Sequence, residues 1–179
     1  MTAAHLERRA FSEFRADPSA RKLEGYAATF GSEANLGSIV ETIEPGAFRA
    51  SLASDIVALM DHDQAMVLGR TRSGTLRLSE DSRGLAFSLD LPDTQAGRDV
   101  LALAARGDLG GMSFGFQVPK GGDHWSGNRR ALRSVNLFEI SVVSAWPAYP
   151  DTSLALRSRA PADDRERRRR AIIIAEAQL

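Results

Sequence analysis

The chain has 179 residues, 43% of them apolar and 26% charged, the mix of one globular domain long enough to bury a core. Lys+Arg and Asp+Glu both number 23, so no net field favours nucleic acid as a partner. Cysteine is absent, which excludes disulfide scaffolds, thiolate zinc sites and cysteine nucleophiles.

No apolar run approaches the roughly 20 residues of a membrane span. The first 14 residues carry Glu7, Arg8, Arg9 and Glu13 and lack the apolar stretch of a secretory signal. The expectation is a cytoplasmic protein with no membrane or nucleic-acid partner.

Residues 6–15 and 23–30 read as extended segments separated by the turn cluster Asp17-Pro18-Ser19. Residues 38–43 are a further strand. Pro45 then suits the first turn of a helix over 45–53, with Phe48 and Leu52 on one face. The short apolar run 56–60 predicts a buried strand, and 68–71, 75–79 and 84–91 follow as strands, with Leu76 and Leu78 alternating against polar neighbours. Thr94 is placed to cap a helix running to Arg106, which Gly107 would end. Residues 110–119 form a strand entered through a glycine pair, 120–128 a hairpin loop, and 129–135 and 136–143 the last strands.

The sum is an α+β protein, mainly β, for which short strands and regular turns predict a closed barrel rather than an open sheet. Beyond residue 157 the composition changes: Ala160-Pro161 breaks the chain and 163–170 is almost wholly charged. Residues 1–157 are therefore expected to form the domain and 158–179 a helical or flexible tail.

Three histidines are present, and His62 stands apart from His5 and His124 because it follows the buried-looking run 56–60. It reads either as a base at a strand end or as a surface histidine in an acidic turn. Ser113 lies in Gly110-Gly111-Met112-Ser113-Phe114-Gly115-Phe116. Small neighbours would let a substrate backbone approach a nucleophile there, or would simply mark a bulge. Glu139 sits in the otherwise apolar stretch Leu137-Phe138-Glu139-Ile140-Ser141-Val142-Val143. A carboxylate there needs a partner, either a catalytic imidazole or an arginine.

Other motifs carry less. Asp151-Thr152-Ser153 has the letters of an aspartic-protease signature but follows Tyr149-Pro150 in a Pro-punctuated loop. Asp61-His62-Asp63 cannot chelate from one strand, because successive side chains alternate faces. The glycines of 107–115 lack a P-loop ending, so no cofactor or metal is expected.

Taken in order, Gly25-Tyr26-Ala27 with Phe30, Ile43-Glu44-Pro45-Gly46-Ala47-Phe48, His62-Asp63 with Leu68-Gly69-Arg70, Gly74-Thr75-Leu76, Gly84-Leu85, Gly111-Met112-Ser113-Phe114-Gly115-Phe116, Glu139-Ile140-Ser141-Val142-Val143 and Pro147-Ala148-Tyr149-Pro150 resemble the prohead maturation proteases of tailed phages. The resemblance spans about residues 20–157. It implies a fold like the herpesvirus assembly protease, a closed β-barrel of about seven strands flanked by helices. It also implies His62 as catalytic base, Ser113 as nucleophile and Glu139 as the third member of the triad.

The implied work is capsid maturation inside the assembling procapsid, in the cytoplasm of a bacterial host. The protease would cut scaffold protein, or the scaffolding extension of the major capsid protein, and itself. Backbone N–H groups of the loop after Val143 would bind the oxyanion, and trimming would fall near Ala160-Pro161. The rival from another class is a catalytically silent capsid-assembly or scaffold-binding protein on the same barrel.

Overall fold

A computed structural model describes residues 6–11 and 14–144. Strands β1 (Glu7–Phe11), β2 (Phe14–Asp17), β3 (Lys22–Thr29), β4 (Ala34–Asn35) and β5 (Val40–Ile43) precede a 3₁₀ turn at Arg49–Ala53. Strands β6 (Val57–Met60), β7 (Asp63–Arg70), β8 (Leu76–Glu80) and β9 (Gly84–Asp90) lead to helix α1 (Gln95–Arg106). Strands β10 (Gly111–Gln117), β11 (Asp123–Ser126), β12 (Arg129–Leu132) and β13 (Asn136–Val143) complete the described chain.

The strands form three open sheets, ordered β1-β10-β13-β6-β7, β11-β12-β5-β4 and β2-β3-β9-β8. This corrects the expected closed barrel: no described pairing joins the ends of any sheet. Alternation with period two reports that one face of a strand is buried; it is silent on whether the sheet closes. The edges are managed by charge instead. Arg15 on edge strand β2 pairs with Glu24, and Arg77 on edge strand β8 pairs with Asp90.

The helices flanking the expected barrel are also fewer. The segment 45–53 is a turn and a short 3₁₀ element, because Gly46 has φ of 96°, outside the right-handed helical region. The Glu80 carboxylate accepts the N–H groups of Gly46 and Phe48 at 2.7 and 3.0 Å, fixing this turn against β8. Helix α1 forms as expected. The Thr94 hydroxyl accepts the Gly97 N–H, Val100 and Leu101 are buried, and Gly107 at φ 75° ends it in the left-handed conformation.

Residues 6–15, expected as one extended segment, divide into β1 and β2, which lie in different sheets. The loop 120–128 contains β11, whose charged and exposed residues carry no apolar alternation. The proposed tail, 158–179, lies outside the described residues.

One core is shared by the sheets. Met112, Phe114 and Phe116 of β10 and Leu137, Ile140 and Val142 of β13 cluster with Leu23 and Ala27 of β3 and Leu85, Phe87 and Leu89 of β9. Phe48 meets Phe114 edge to face, with centroids 5.5 Å apart. β10 alternates, and β13 alternates after a bulge at Phe138, so burying these residues turns Ser113, Gly115, Glu139 and Ser141 to the opposite face.

An ionic knot ties β1 to the second sheet. Arg9 Nη2 donates to Glu41 Oε2 at 2.8 Å, and Arg130 binds Glu7, Glu41 and Asp123. Arg8, the residue between Glu7 and Arg9, points instead to the face that holds Ser113 and Glu139, where its Nε lies 3.4 Å from Glu139 Oε1.

Candidate active site

His62 stands in the two-residue turn between β6 and β7, where Met60 pairs with Asp63. Asp61 and His62 have φ of 49° and 62°, the pair of positive angles that a tight hairpin of this twist requires. Aspartate and histidine tolerate that region better than most side chains. The turn is also fastened sideways. Asp61 N–H donates to the Val142 carbonyl, and the Asp61 carboxylate accepts the N–H and the hydroxyl of Ser144. The tip that carries the imidazole is thereby attached to β13, the strand that carries Glu139.

His62 and Glu139 meet directly: Nδ1 lies 2.7 Å from Oε1, with both side chains about nine-tenths buried. The sequence left the partner of Glu139 open between an imidazole and an arginine. The structure supplies both, since Arg8 Nε stands at 3.4 Å from the same oxygen, without a hydrogen bond of its own among the described residues. Burial works to raise the Glu139 pKa. It is outweighed by hydrogen bonds from His62 and Ser141 and by the charges of His62 and Arg8, which hold the carboxyl below its ordinary value. Glu139 is therefore ionised and can only accept, so His62 Nδ1 carries the hydrogen and Nε2 is the basic nitrogen.

Ser113 occupies the same face of the same sheet, one strand away. It pairs with Ser141 across β10 and β13, while Gly115 pairs with Glu139. A Cβ at Gly115 would fall 2.8 Å from Glu139 Cγ, so glycine leaves the room in which the carboxylate sits. The Ser113 hydroxyl donates to the Arg9 carbonyl on β1 at 2.8 Å rather than to His62. The structure thus brings His62 and Glu139 into contact and sets Ser113 beside them with its proton turned the other way.

Strand, turn and carboxylate thus hold an imidazole against a carboxylate, one strand from a serine in a small-residue frame. A model of one protein family matches residues 8–165, described as the caudovirus prohead serine protease. The chain belongs to that family. Neither the comparison with curated proteins nor that with solved structures returned a match.

Membership of the prohead serine protease family makes this a protein of phage capsid maturation and points to serine protease chemistry. No helix among the described residues is long and apolar enough to cross a membrane. Three contributors to the site were not singled out from sequence: Arg8, Gly115 and Ser141. The signal for two of them is the spacing of two. Gly115 follows Ser113, and Ser141 follows Glu139, so each pair must share a face once its strand is recognised. Arg8 carried no such signal, since its strand is placed beside β10 by tertiary pairing. Of the loop expected to bind the oxyanion only Ser144 is described, and its N–H is taken by Asp61; Pro147-Ala148-Tyr149-Pro150 and the motif Asp151-Thr152-Ser153 lie outside the described residues. So do His5 and Ala160-Pro161.

Proposed function

We propose that this chain is the serine endopeptidase of phage capsid maturation, with Ser113 as nucleophile, His62 as general base and Glu139 as the acid that orients it. The observation that carries the reading is the Nδ1–Oε1 hydrogen bond of 2.7 Å between His62 and Glu139, on the face of the sheet that Ser113 shares. An ionised carboxylate on Nδ1 fixes the tautomer whose Nε2 takes a proton, which is the third role in a triad.

In the reaction, the Ser113 hydroxyl turns from the Arg9 carbonyl toward His62 Nε2. It loses its proton to that nitrogen as Oγ attacks the scissile carbonyl. The imidazolium, held by Glu139, returns the proton to the leaving amine, and an acyl-enzyme remains on Ser113. A water then gives its proton to Nε2, attacks the ester, and releases the acid with Ser113 restored.

The substrates follow from the family's setting. They are scaffold protein or the scaffolding extension of the major capsid protein, and the chain itself, cut within the assembling procapsid inside the host cell. A fluorophosphonate offered to the purified protein tests the chemistry. Ser113 should be labelled in the wild type, and labelling should vanish in His62→Ala. Co-expression with the major capsid protein should give shortened capsid chains, and Ser113→Ala should leave them full length while remaining folded. Processing that survives Ser113→Ala would overturn the assignment and favour an assembly protein on this fold.

A further inference from the structure

The triad leaves one hydroxyl at its centre without a task. Ser141 lies on β13, directly across from Ser113 on β10 and from Leu59 on β6, and it has no solvent-exposed surface. Its Oγ donates to Glu139 Oε2, the oxygen that His62 does not use. The two carboxylate oxygens are thus divided: Oε1 takes the imidazole and Oε2 takes Ser141.

That division has a mechanical consequence. The terminal torsion of a glutamate is broad and roughly two-fold, so one hydrogen bond leaves the carboxylate free to rock. A donor on the second oxygen removes that freedom. No other described residue supplies it. Gly115 beneath the carboxylate offers space and no donor, and Arg8 approaches Oε1 rather than Oε2. Ser141 is moreover two residues from Glu139 on one strand, so both backbones move together and the hydroxyl reaches the carboxylate without loop or hinge.

We infer that Ser141 is a positioning residue, which locks Glu139 so that Oε1 stays aimed at His62 Nδ1. The inference rests on the triad proposed above. Ser141 is unsuited to be a second nucleophile. Its proton is engaged by a carboxylate, while the imidazole stands on that carboxylate's other oxygen. The hydrogen bond from Ser141 also helps keep Glu139 ionised in a buried place, in agreement with its lowered pKa.

The test is a double-mutant cycle on the rate at which a fluorophosphonate acylates Ser113, read by intact-mass spectrometry over hours so that slow variants remain measurable. Ser141→Ala should lower the maximal labelling rate on the order of 10- to 100-fold, as expected for misalignment of a catalytic group. The probe concentration giving half-maximal rate should change little, because Ser141 does not touch the probe. In a Glu139→Gln background the same Ser141→Ala change should cost nothing further. Ser141→Cys, of similar volume but a weak donor, should fall between serine and alanine, and it serves if the alanine variant folds poorly.

An unchanged rate in Ser141→Ala, or an equal loss with and without Glu139, would overturn the positioning role while leaving the triad intact. Labelling that moves to Ser141, or that persists in Ser113→Ala, would instead bring down the triad and this inference with it.

Discussion

Gly115 stands directly opposite Glu139 on the neighbouring strand, and the absence of its side chain is what allows the carboxylate to lie flat against β10 and meet His62. Gly115→Ala would place a methyl group against Glu139 Oε1 and Cγ. The far end of the side chain can swing aside, so the protein is expected to fold. The swing, however, breaks the contact with Nδ1. Steady-state assays should show kcat reduced on the order of 10²-fold, with a lowered melting temperature because the buried contacts of Glu139 are disturbed as well. Wild-type kcat in this variant would mean that the carboxylate is not needed where it lies.

Glu139→Gln tests charge separately from shape. The amide keeps the packing but presents either a neutral acceptor or a donor to Nδ1, and in the second case the imidazole is held in the wrong tautomer. By analogy with the loss of the acid in a serine protease triad, kcat should fall about 10⁴-fold. A pH–rate profile supplies the control: the loss should be partly relieved at high pH, where a base less well held can still be deprotonated. A variant as fast as wild type would show that His62 needs no carboxylate on Nδ1.

Stability should fall in acid, and the sign can be worked out. Glu139 is held below the ordinary 4.5, burial opposing and hydrogen bonds from His62 and Ser141 prevailing. Glu7 is lowered as well, with burial opposed by hydrogen bonds and charge from Arg130 and Arg9. For a depressed folded pKa, the unfolded chain binds more protons near and below 4.5. The stabilisation is therefore fully present above that pH and is lost as pH falls through the folded values. Urea denaturation between pH 7 and pH 3 should show the decline, and a Glu7→Gln, Glu139→Gln double variant should flatten it. An equal slope in both proteins would place the acid sensitivity elsewhere.

The ionic knot under β1 makes a different kind of demand. Glu41 is 1% exposed and takes charge from both Arg9 and Arg130. Removing the carboxylate by Glu41→Ala leaves Arg9 with Glu7 and Arg130 with Glu7 and Asp123, a breach of a buried network expected to cost up to about 3–5 kcal/mol. The denaturation midpoint should drop accordingly, and Glu41→Gln, which retains acceptors, should lose less. A loss below about 1 kcal/mol would show that Glu7 and Asp123 suffice to hold both arginines.

Some of this arrangement was legible before the structure. Helix α1 announced itself through Thr94, the apolar stripe and Gly107, and β13 through its largely apolar stretch, because both depend on neighbours in sequence. The two residues that meet at the candidate site stood out too, a histidine at the end of an apolar run and an acid among apolar residues, though the sequence left an arginine open as the acid's partner. What was not legible depends on long-range pairing. Closure of the sheet, the separation of β1 from β2, and the arrival of Arg8 and the Arg9 carbonyl beside Ser113 are decided by which strands meet. Local alternation carries no information on that choice. The helix expected at 45–53 failed for a local reason, the left-handed Gly46, which letters alone show only as a permissive residue.

The alternation of β10 has a consequence for how mutations in this protein will sort. Its even positions, Met112, Phe114 and Phe116, are embedded in the apolar core, and its odd positions, Gly111, Ser113 and Gly115, lie on the face that holds Glu139. In a saturation survey, neighbouring codons should therefore give opposite phenotypes. Changes at 112, 114 and 116 should deplete the amount of protein, while changes at 113 and 115 should leave ample protein that no longer matures a shell. One seven-residue strand would then write a two-beat pattern into its fitness map, abundance on one beat and chemistry on the next.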